Sequence, residues 1–564
     1  MYMIKKWETY QTDEDKMKDI AVKNNISLLL AKVLLNRGID SDEKVKKFLH
    51  PELSDLYNPF LLKDMDLATC EILKAIENKE KITIYGDYDV DGITSITVLI
   101  KFFKSIGVDA SYYLPNRLEE GYGLNKNAID KLKEAGTSLM ITVDCGISAH
   151  DEIEYAKSLG IKVIVTDHHE CPETLPDTVA VVDPKRDDDT YPFSFLAGVG
   201  VTFKLVQALV SKMNLSSEKY LKYLDIVCLG TVADIVPLVD ENRVIVKYGL
   251  ELVRKTTNVG LKKLIELSGY TNIDSSAISF GLAPRINACG RMGEAEKALT
   301  LLLTDDELEA QNIANELQEM NKERQNVEKR IMEEAVEIIE REKLYDNSAI
   351  VVGKENWHHG VIGIVASKIT EMYYKPSILV CFEGNEGKGS GRSIEGFDLH
   401  NALNKCSDKL LRFGGHEMAI GLTISKENFA EFRRKLSEVA SAEILEDSMP
   451  IIKVDSEINS KEISMETIKN LELLEPYGEA NSAPIFVYRN IKVDSIRTLS
   501  NGKHLKLNVK DGNAIFDAVA FNMGEKKDSI RMGEKVDVLH YLEVNRYNGL
   551  QKIQLNVKDI KKSI

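Results

Sequence analysis

The segment KITIYGDYDVD, residues 81–91, is a short apolar run typical of a buried strand, followed at once by three acids. Two later apolar runs, LMITV and KVIVT, also end directly in acidic or histidine side chains. Helical stretches separate these runs, and strands that alternate with helices form a parallel sheet with helices on both faces. The carboxyl ends of such strands lie at one edge of the sheet, where these sheets bind ligands. The side chains expected at this edge are Asp87, Asp89, Asp91, Asp144, Asp167, His168 and His169.

Asp234 follows another apolar run, DIVCLGTVA, and is expected at the same edge. Carboxylates with one or two imidazoles suit Mn²⁺ or Mg²⁺. This many acids can hold two ions about 3.5 to 4 Å apart, the arrangement used to hydrolyse phosphodiesters. Each motif alone has a simpler explanation, because D-x-D-x-D-G also occurs in calcium loops and solvated turns, and a histidine pair also caps helices or lies in cores. Acids at three successive strand ends favour the metal site.

The pattern of apolar, charged and turn-forming residues changes several times outside this region. Residues 15–80 have the apolar spacing of short amphipathic helices. Residues 305–345 contain no Gly or Pro and predict one or two long helices, and a second α/β region follows at 348–446. From about residue 484, β-type alternation with NG and DG turns predicts a small β-barrel.

The composition excludes several classes of protein. With 564 residues, 43% of them hydrophobic and 29% charged, the chain is neither disordered nor a single domain. No apolar run approaches the ~18 to 20 residues that span a bilayer, and the start has no apolar segment, so we expect no membrane span and no secretory signal. Seven scattered cysteines suit the cytoplasm. The net charge of −16 argues against a generally basic nucleic-acid surface, though not against a local basic cleft.

Four motifs resemble those of the DHH phosphoesterase superfamily: YGDYDVDGITS, VDCGIS, VTDHHE and LGTVADIVPL, in this order. Further segments resemble the RecJ family of single-stranded-DNA exonucleases over nearly the whole chain. These segments are YLPNRLEEGYGL, DPKRDD followed by YPFSFLAGVGVTFKL, APRINACGRMG, WHHGVIGIVASKI, GSGRSIEGFDL and FGGHEMAIGL. The linker LEPYGEANSAPIF departs from the usual family pattern, and we expect the extra C-terminal domain of some relatives to be absent.

The resemblance implies catalytic roles for the acidic and histidine residues. Asp87, Asp89 and Asp144 would bind one ion. Asp144 would bridge to a second ion, bound also by Asp91, His168 and Asp234. Asp167 would orient an imidazole without binding an ion, and His169 would donate to the scissile phosphate or the leaving group. The reaction would be attack of activated water on phosphorus, without a nucleophilic side chain.

The resemblance also implies residues that hold the substrate. Arg117, Ser390 and Arg392 would bind a terminal 5′-phosphate, Tyr122 would stack on a base, and the GGH of the DHH-associated domain would bind substrate. Arg285 and Arg291 would face the phosphate backbone, although a structural helix cap is the alternative for both. The three residues of the GGH motif are Gly414, Gly415 and His416.

The fold class is therefore α/β: a parallel-sheet DHH domain and a DHH-associated α/β domain joined by a long helix, plus an OB-like β-barrel. The expected divisions are an N-terminal helical segment at 1–80, the DHH domain at 81–304, the long helix at 305–346, the DHH-associated domain at 347–446, and a linker with the OB domain at 447–564.

The expected function is metal-dependent hydrolysis of single-stranded DNA from its 5′ end to mononucleotides, in recombination and repair. The expected partners are single-stranded DNA, a helicase and a single-stranded-DNA-binding protein, with no membrane, and the protein itself is expected to be a monomer. One alternative is a DHH phosphodiesterase of short oligonucleotides or cyclic dinucleotides, against which the long connector and the β-rich tail argue. The other is a non-catalytic scaffold, against which the complete set of ligand positions argues.

Overall fold

The computed structural model describes residues 5–116, 120–121, 123–445, 449–547 and 550–563. They form two compact units. The larger unit takes the described parts of 7–115, 122–283 and 452–564, and the smaller takes those of 1–6, 116–121 and 284–451. All seven cysteines are free thiols. Among the described residues, no helix combines the length and the apolar character needed to cross a membrane.

The chain begins with a short strand and four helices. Ser and Asp residues cap the first three helices, as their positions before each apolar stretch predict. The bounds are β1 (Lys6–Thr9), α1 (Glu14–Asn24), α2 (Leu28–Asn36), α3 (Asp42–Leu49) and α4 (Met65–Glu77).

A five-stranded parallel sheet follows, as the alternation of apolar runs and helical stretches predicts. Its elements are β2 (Ile82–Gly86), α5 (Val90–Ser105), β3 (Ser111–Tyr113), α6 (Lys126–Glu134), β4 (Leu139–Val143), α7 (His150–Ser158), β5 (Lys162–Thr166) and β6 (Ala180–Val182). The strands lie in the order β3–β2–β4–β5–β6 and all pair in parallel. Every residue of β2 and β4 is buried, which explains their continuous apolar sequences.

Six more helices complete this part of the larger unit. They are α8 (Gly198–Lys212), α9 (Glu218–Leu221), α10 (Leu224–Ala233), α11 (Asp240–Val253), α12 (Val259–Ser268) and α13 (Ser275–Ala277), followed by a π-helical turn at Ile278–Leu282. Helices α5, α8 and α10 pack on one another, and every residue of α10 except the last, Ala233, is buried. The end of α10 carries Asp234, so this packing brings a helix terminus to the edge of the sheet.

Two buried cations join the N-terminal helices to this core. Lys204 lies on α8 with no exposed surface, and its Nζ is 2.8 Å from Oε1 of Glu241 and 2.6 Å from the carbonyl oxygen of Tyr57. Arg243 on α11 is also buried and donates to backbone carbonyls on both sides of it. These carbonyls belong to Phe48, Leu473, Leu474, Glu475 and Pro476.

The smaller unit contains the long helix and a mixed sheet. Its elements are α14 (Ala283–Arg291), of which Ala283 belongs to the larger unit, then α15 (Ala295–Leu303), α16 (Glu307–Arg341), β7 (Ile350–Glu355), α17 (His359–Tyr373), β8 (Ser377–Glu383), β9 (Glu386–Arg392), α18 (Leu399–Lys405), β10 (Arg412–His416), β11 (Ala419–Ser425) and α19 (Phe429–Glu443). The strands lie in the order β10–β11–β9–β8–β7, and only the β7–β8 pairing is parallel among those described. The expected long helix is one continuous helix of 35 residues, α16.

A closed barrel forms the C-terminal part of the larger unit. The remaining elements are β12 (Ile451–Val454), which pairs with β1, then β13 (Ser456–Glu457), α20 (Met465–Leu471), β14 (Phe486–Leu499), β15 (His504–Asp511), β16 (Ala514–Ala520), β17 (Lys535–Tyr547) and β18 (Leu550–Lys562). Five strands pair in the order β14–β15–β16–β18–β17, and β17 pairs back to β14. The predicted α/β fold with an additional β-barrel is confirmed.

Candidate metal centre

Three adjacent strands bring acidic side chains to one edge of the parallel sheet. Gly86, Val143 and Thr166 occupy the same register position at the ends of β2, β4 and β5. The residue that follows each strand is an acid, so three acids lie side by side at this edge: Asp87, Asp144 and Asp167. The spacing along the sequence predicted this arrangement, because strands of one parallel sheet end at the same edge.

The structure gathers the predicted ligands into overlapping groups whose nitrogen or oxygen atoms lie within 4.8 Å of one another. One group is Asp87, Asp89 and Asp144, and a second is Asp91, His168 and Asp234. The first group is the set that the family resemblance implies for one ion, and the second contains three of the four residues that it implies for the other, without Asp144. A third group contains Asp144, His168 and His169, so Asp144 and His168 connect the first two.

The start of α5 holds two of the acids in place. Asp89 caps this helix, and its Oδ1 accepts hydrogen bonds from the backbone nitrogens of Asp91 at 2.9 Å and Gly92 at 3.1 Å. The carboxylate of Asp91 is in turn bound by the first amides of α8. Gly198 donates to its Oδ2 at 2.7 Å, and Val199 donates to its Oδ1 at 2.8 Å. Two helix N-termini therefore fix acidic side chains at the site.

Glycines allow the helices to approach the acids closely. A Cβ atom on Gly198 would lie 2.7 Å from Cβ of Asp144. A Cβ atom on Gly230, in α10, would lie 2.2 Å from Oγ1 of Thr94 and 3.1 Å from Oδ1 of Asp91. Neither position can accept a larger residue unless a group at the site moves. Asp144 itself adopts left-handed backbone geometry with a φ of 58°, which Asp tolerates better than most residues.

Burial and mutual repulsion make the acids poor at holding charge without a cation. Burial, and then the charge of Asp89, raises the pKa of Asp91 to about 7. Burial, and then the charge of Asp91, raises the pKa of Asp234 to about 9. Burial and the other four acids also raise the pKa of Asp144. Carboxylates that repel one another in this way are ionised when positive charge is supplied, so the donor set fits divalent cations.

His168 is a neutral donor directed at the acids. Burial lowers its pKa to about 3, so the ring is in the uncharged form that binds metal ions. Its Nε2 lies 3.1 Å from Oδ1 of Asp144, 3.6 Å from Oδ2 of Asp234 and 3.7 Å from Oδ2 of Asp91. The ring also forms a hydrogen bond to the backbone of Leu196. Such a second contact fixes the orientation of a ligating imidazole.

His169 and Asp167 form a charged pair beside the ligands. Nδ1 of His169 lies 2.7 Å from Oδ1 of Asp167, whose Oδ2 accepts from the backbone nitrogen of Ile147 at 2.9 Å. Burial disfavours the charged imidazole, but the hydrogen bond to Asp167 and the charges of Asp167, Asp234 and Asp91 together outweigh it and raise the pKa of His169 to about 9. The imidazolium is therefore the form present at neutral pH, suited to donate to a phosphate oxygen. Asp167 contacts this ring, and the family resemblance implies that it orients an imidazole.

Three features in or beside the site were not predicted from the sequence. The Leu196 backbone and the amides of Gly198 and Val199 come from a segment brought in by tertiary packing, and only the glycines in LAGVGV signalled a close approach. Asp183 was also missed, although it follows β6 as the other acids follow their strands. It is fully buried, its Oδ1 accepts from the backbone nitrogen of Lys185 at 2.8 Å, and burial raises its pKa to about 8.

The candidate substrate-binding residues that are described belong to the smaller unit. On β9, Nη1 of the half-buried Arg392 donates to Oγ of Ser390 at 3.2 Å, and burial lowers the pKa of this guanidinium. Arg285 Nε donates to Gln318 at 2.7 Å, and Arg291 Nη1 to the Gly360 carbonyl at 3.0 Å. The three residues of the GGH motif are exposed on the edge strand β10: Gly414, Gly415 and His416. Arg117 and Tyr122 lie outside the described residues.

The chain matches three domain families in order. Residues 81–231 match the DHH family N-terminal domain, residues 346–442 the DHHA1 domain, and residues 454–559 the RecJ OB domain. The single-stranded-DNA-specific exonuclease RecJ of Bacillus subtilis is 41% identical over 98% of this chain and 70% of its own length.

Solved structures extend the comparison to the fold. The Mn²⁺ complex of RecJ from Thermus thermophilus has a TM-score of 0.86 and 31% identity, over 99% of this chain and 80% of that one. The Mg²⁺ complex of RecJ from the same organism has a TM-score of 0.80 and 30% identity, over 99% and 79% of the two chains. The predicted choice of Mn²⁺ or Mg²⁺ agrees with the ions in these relatives. The ligand geometry, the three domain matches and the 41% identity over 98% of this chain lead to one conclusion. The chain belongs to the RecJ family of single-stranded-DNA-specific exonucleases.

Proposed function

We propose that this protein hydrolyses single-stranded DNA from its 5′ end, releasing mononucleotides for recombination and repair. The observation that carries the proposal is the pair of three-residue ligand groups, connected through Asp144, in a chain of this family. Neither alternative finds comparable support, because a RecJ exonuclease matches 98% of this chain and because every ligand position is filled.

Asp87, Asp89 and Asp144 would hold one divalent ion, and Asp91, Asp144, His168 and Asp234 the other. When bound, Mn²⁺ or Mg²⁺ ions at such a site activate water and offset charge on the phosphate and on the leaving oxygen. The protein supplies the positions of the ligands. The amides of Gly198 and Val199 hold Asp91, and the backbone of Leu196 holds the ring of His168.

His169 would hold a proton near the scissile phosphate. Its imidazolium, stabilised by Asp167, would donate from the ring nitrogen that does not contact this carboxylate. The donor would stabilise negative charge that develops on a phosphate oxygen, or protonate the leaving oxygen. Asp167 would act through the imidazole that it positions, without contacting the substrate.

Recognition of the 5′ end would fall to residues outside the metal centre. Arg117, Ser390 and Arg392 would bind the terminal phosphate, because a guanidinium and a hydroxyl suit its oxygens. Tyr122 would stack on a base, and Arg285 and Arg291 would contact the backbone. The GGH motif would contact the substrate through Gly414, Gly415 and His416.

Further parts of the proposal concern organisation and setting. We retain the division into an N-terminal helical segment at 1–80, a DHH domain at 81–304, a connecting helix at 305–346, a DHHA1 domain at 347–446, and a linker with the OB domain at 447–564. The protein would act in the cytoplasm as a monomer, together with a helicase and a single-stranded-DNA-binding protein. An acidic exterior, from the net charge of −16, would disfavour loose adsorption to duplex DNA.

The test is a comparison of oligonucleotides labelled at one end. With Mn²⁺ present, a single strand labelled at its 5′ end should lose the label as a mononucleotide in the first turnover, while a 3′ label should stay on shortening chains. A duplex of the same sequence should be resistant. Release from the 3′ end alone would overturn the direction, and cleavage confined to dinucleotides or cyclic dinucleotides would favour the alternative enzyme.

A further inference from the structure

Ile235 has a backbone conformation and an exposure that the fold does not explain. It directly follows Asp234 at the end of α10, with a φ of 61° and 68% of its surface exposed. This left-handed position after a helix is usually occupied by Gly or Asn. A β-branched residue is poorly suited to it, and exposure deprives the side chain of the burial that could compensate. Such outliers at functional sites indicate a role outside the fold.

Phe195 is a second exposed apolar side chain attached to the metal centre. It is 49% exposed, and its ring meets the buried ring of Phe193 edge-on, with 5.9 Å between centroids. The next residue is Leu196, whose backbone binds the ring of His168, and the amides of α8 that hold Asp91 follow closely. The position of Phe195 is thus tied to two candidate ligands.

A buried amide holds the two apolar residues in neighbouring loops. Nδ2 of Asn242, which has no exposed surface, donates to the carbonyl oxygen of Phe195 at 2.6 Å and to that of Pro237 at 3.0 Å. Pro237 is two residues beyond Ile235. One side chain therefore fixes both loops beside the acids, and we call Phe195 and Ile235 the apolar rim.

The apolar rim and the acids have complementary chemistry toward a nucleotide. The acids and their ions would take the phosphate, and an adjoining apolar surface suits the deoxyribose and the base. We propose that Phe195 and Ile235 pack against the base of the nucleotide that carries the scissile phosphate. This inference rests on the proposed function and deepens it, because contact with the face of a base is independent of sequence but requires an unstacked strand.

The experiment combines removal of the side chain with removal of the base. Wild type and Phe195→Ala are compared on a single strand and on the same strand with an abasic analogue at one of the first two nucleotides. On the intact strand, Phe195→Ala should lower kcat/KM about tenfold, as expected for one lost stacking contact. On the abasic strand that removes the contacting base, the variant and wild type should differ less than twofold. Binding, measured by fluorescence anisotropy without divalent ions, should follow the same pattern: Phe195→Ala should weaken binding of the intact strand and have little effect on binding of the abasic one.

Ile235→Asn serves as the second variant, because Asn fits the left-handed backbone and the fold is preserved. It should show the same loss on the intact strand, with less loss on the abasic one. Leu67→Ala, on the exposed surface of α4, is the matched control and should behave as wild type on both strands. Equal losses on both strands at each abasic position, or no loss on the intact strand, would overturn the proposal. A wild-type protein that fails to cleave any single strand would instead overturn the proposed function.

Discussion

Two clusters of charged side chains in the larger unit differ in how their charge is balanced. In the paired cluster, Glu241 has no exposed surface and meets the ammonium of Lys204, the backbone nitrogen of Tyr57 and the hydroxyl of Tyr191. In the acidic cluster, carboxylates face one another and one neutral imidazole. The members of the acidic cluster are Asp87, Asp89, Asp91, Asp144 and Asp234.

This difference in charge balance indicates a separate role for each cluster. A buried ion pair whose groups are all hydrogen-bonded within the protein joins segments of the fold. Asp91, Asp144 and Asp234, whose pKa values are raised by burial and by neighbouring carboxylates, destabilise the protein on their own, as expected of acids retained for a ligand of opposite charge. The paired cluster should therefore control stability, and the acidic cluster should control metal binding and catalysis.

The largest expected effect comes from Asp144→Asn. It removes the carboxylate shared by both ligand groups, so single-strand cleavage should fall by about 1,000-fold or more, equivalent to about 4 kcal/mol. In the presence of EDTA, the same variant should unfold at a higher temperature than wild type, because the folded wild type must keep this carboxyl protonated at neutral pH, at a cost in free energy that Asn removes. Initial rates and thermal unfolding measure the two effects. A lower unfolding temperature with normal cleavage would show that the acidic cluster controls stability and not catalysis.

Glu241→Gln should have the opposite pattern. It leaves the buried ammonium of Lys204 without its carboxylate, which should lower the free energy of unfolding by about 3 to 5 kcal/mol. Denaturant unfolding measures this loss. Glu438→Gln, which breaks an exposed pair with Arg434 on α19, is the matched control and should cause no measurable change. Equal effects of the two variants would show that burial of the pair is unimportant.

A buried neutral histidine in the barrel provides a third case. Burial lowers the pKa of His540 to about 4 from the ordinary 6.5. Between these values the unfolded chain binds more protons than the folded one. The contribution of neutral His540 to stability is therefore complete above pH 6.5 and is lost as the pH falls toward 4. The free energy of unfolding should therefore fall by roughly 2 kcal/mol between pH 7 and pH 5 because of this histidine. Unfolding of wild type and His540→Leu, compared across this pH range, measures the part of the pH dependence that His540 causes. Identical pH profiles of the two proteins would contradict the prediction.

The smallest expected effect concerns a cation that the fold leaves half-buried. Arg392→Ala should reduce the preference for a phosphorylated 5′ end by about tenfold, or about 1.4 kcal/mol, with little effect on strands that carry a 5′ hydroxyl. Competition between the two kinds of strand measures the ratio. An unchanged preference would move recognition of the 5′-phosphate to other residues.

The acidic cluster was predictable and the paired cluster was not, for physical reasons. Asp87 and Asp144 directly follow apolar strands, and parallel strands end together, so local sequence is enough to bring them to one edge. Lys204 and Glu241 look like surface charges, because their burial depends on how α8, α11 and the N-terminal segment pack.

Other parts of the site depend on tertiary structure in the same way. The amides that hold Asp91 belong to a helix more than a hundred residues away in the sequence, and no side-chain type marks them. The left-handed backbone of Ile235 contradicts its local propensity and could only be seen in the structure.

The most direct test of the central claim is the stoichiometry of Mn²⁺ binding, measured by isothermal titration calorimetry. We expect two ions per chain in wild type. Asp144→Asn should lose high-affinity binding of both, whereas Asp87→Asn should lose one and retain the other. A single ion in wild type, or two ions in Asp144→Asn, would contradict the assignment of Asp144 as the shared ligand of a two-ion site.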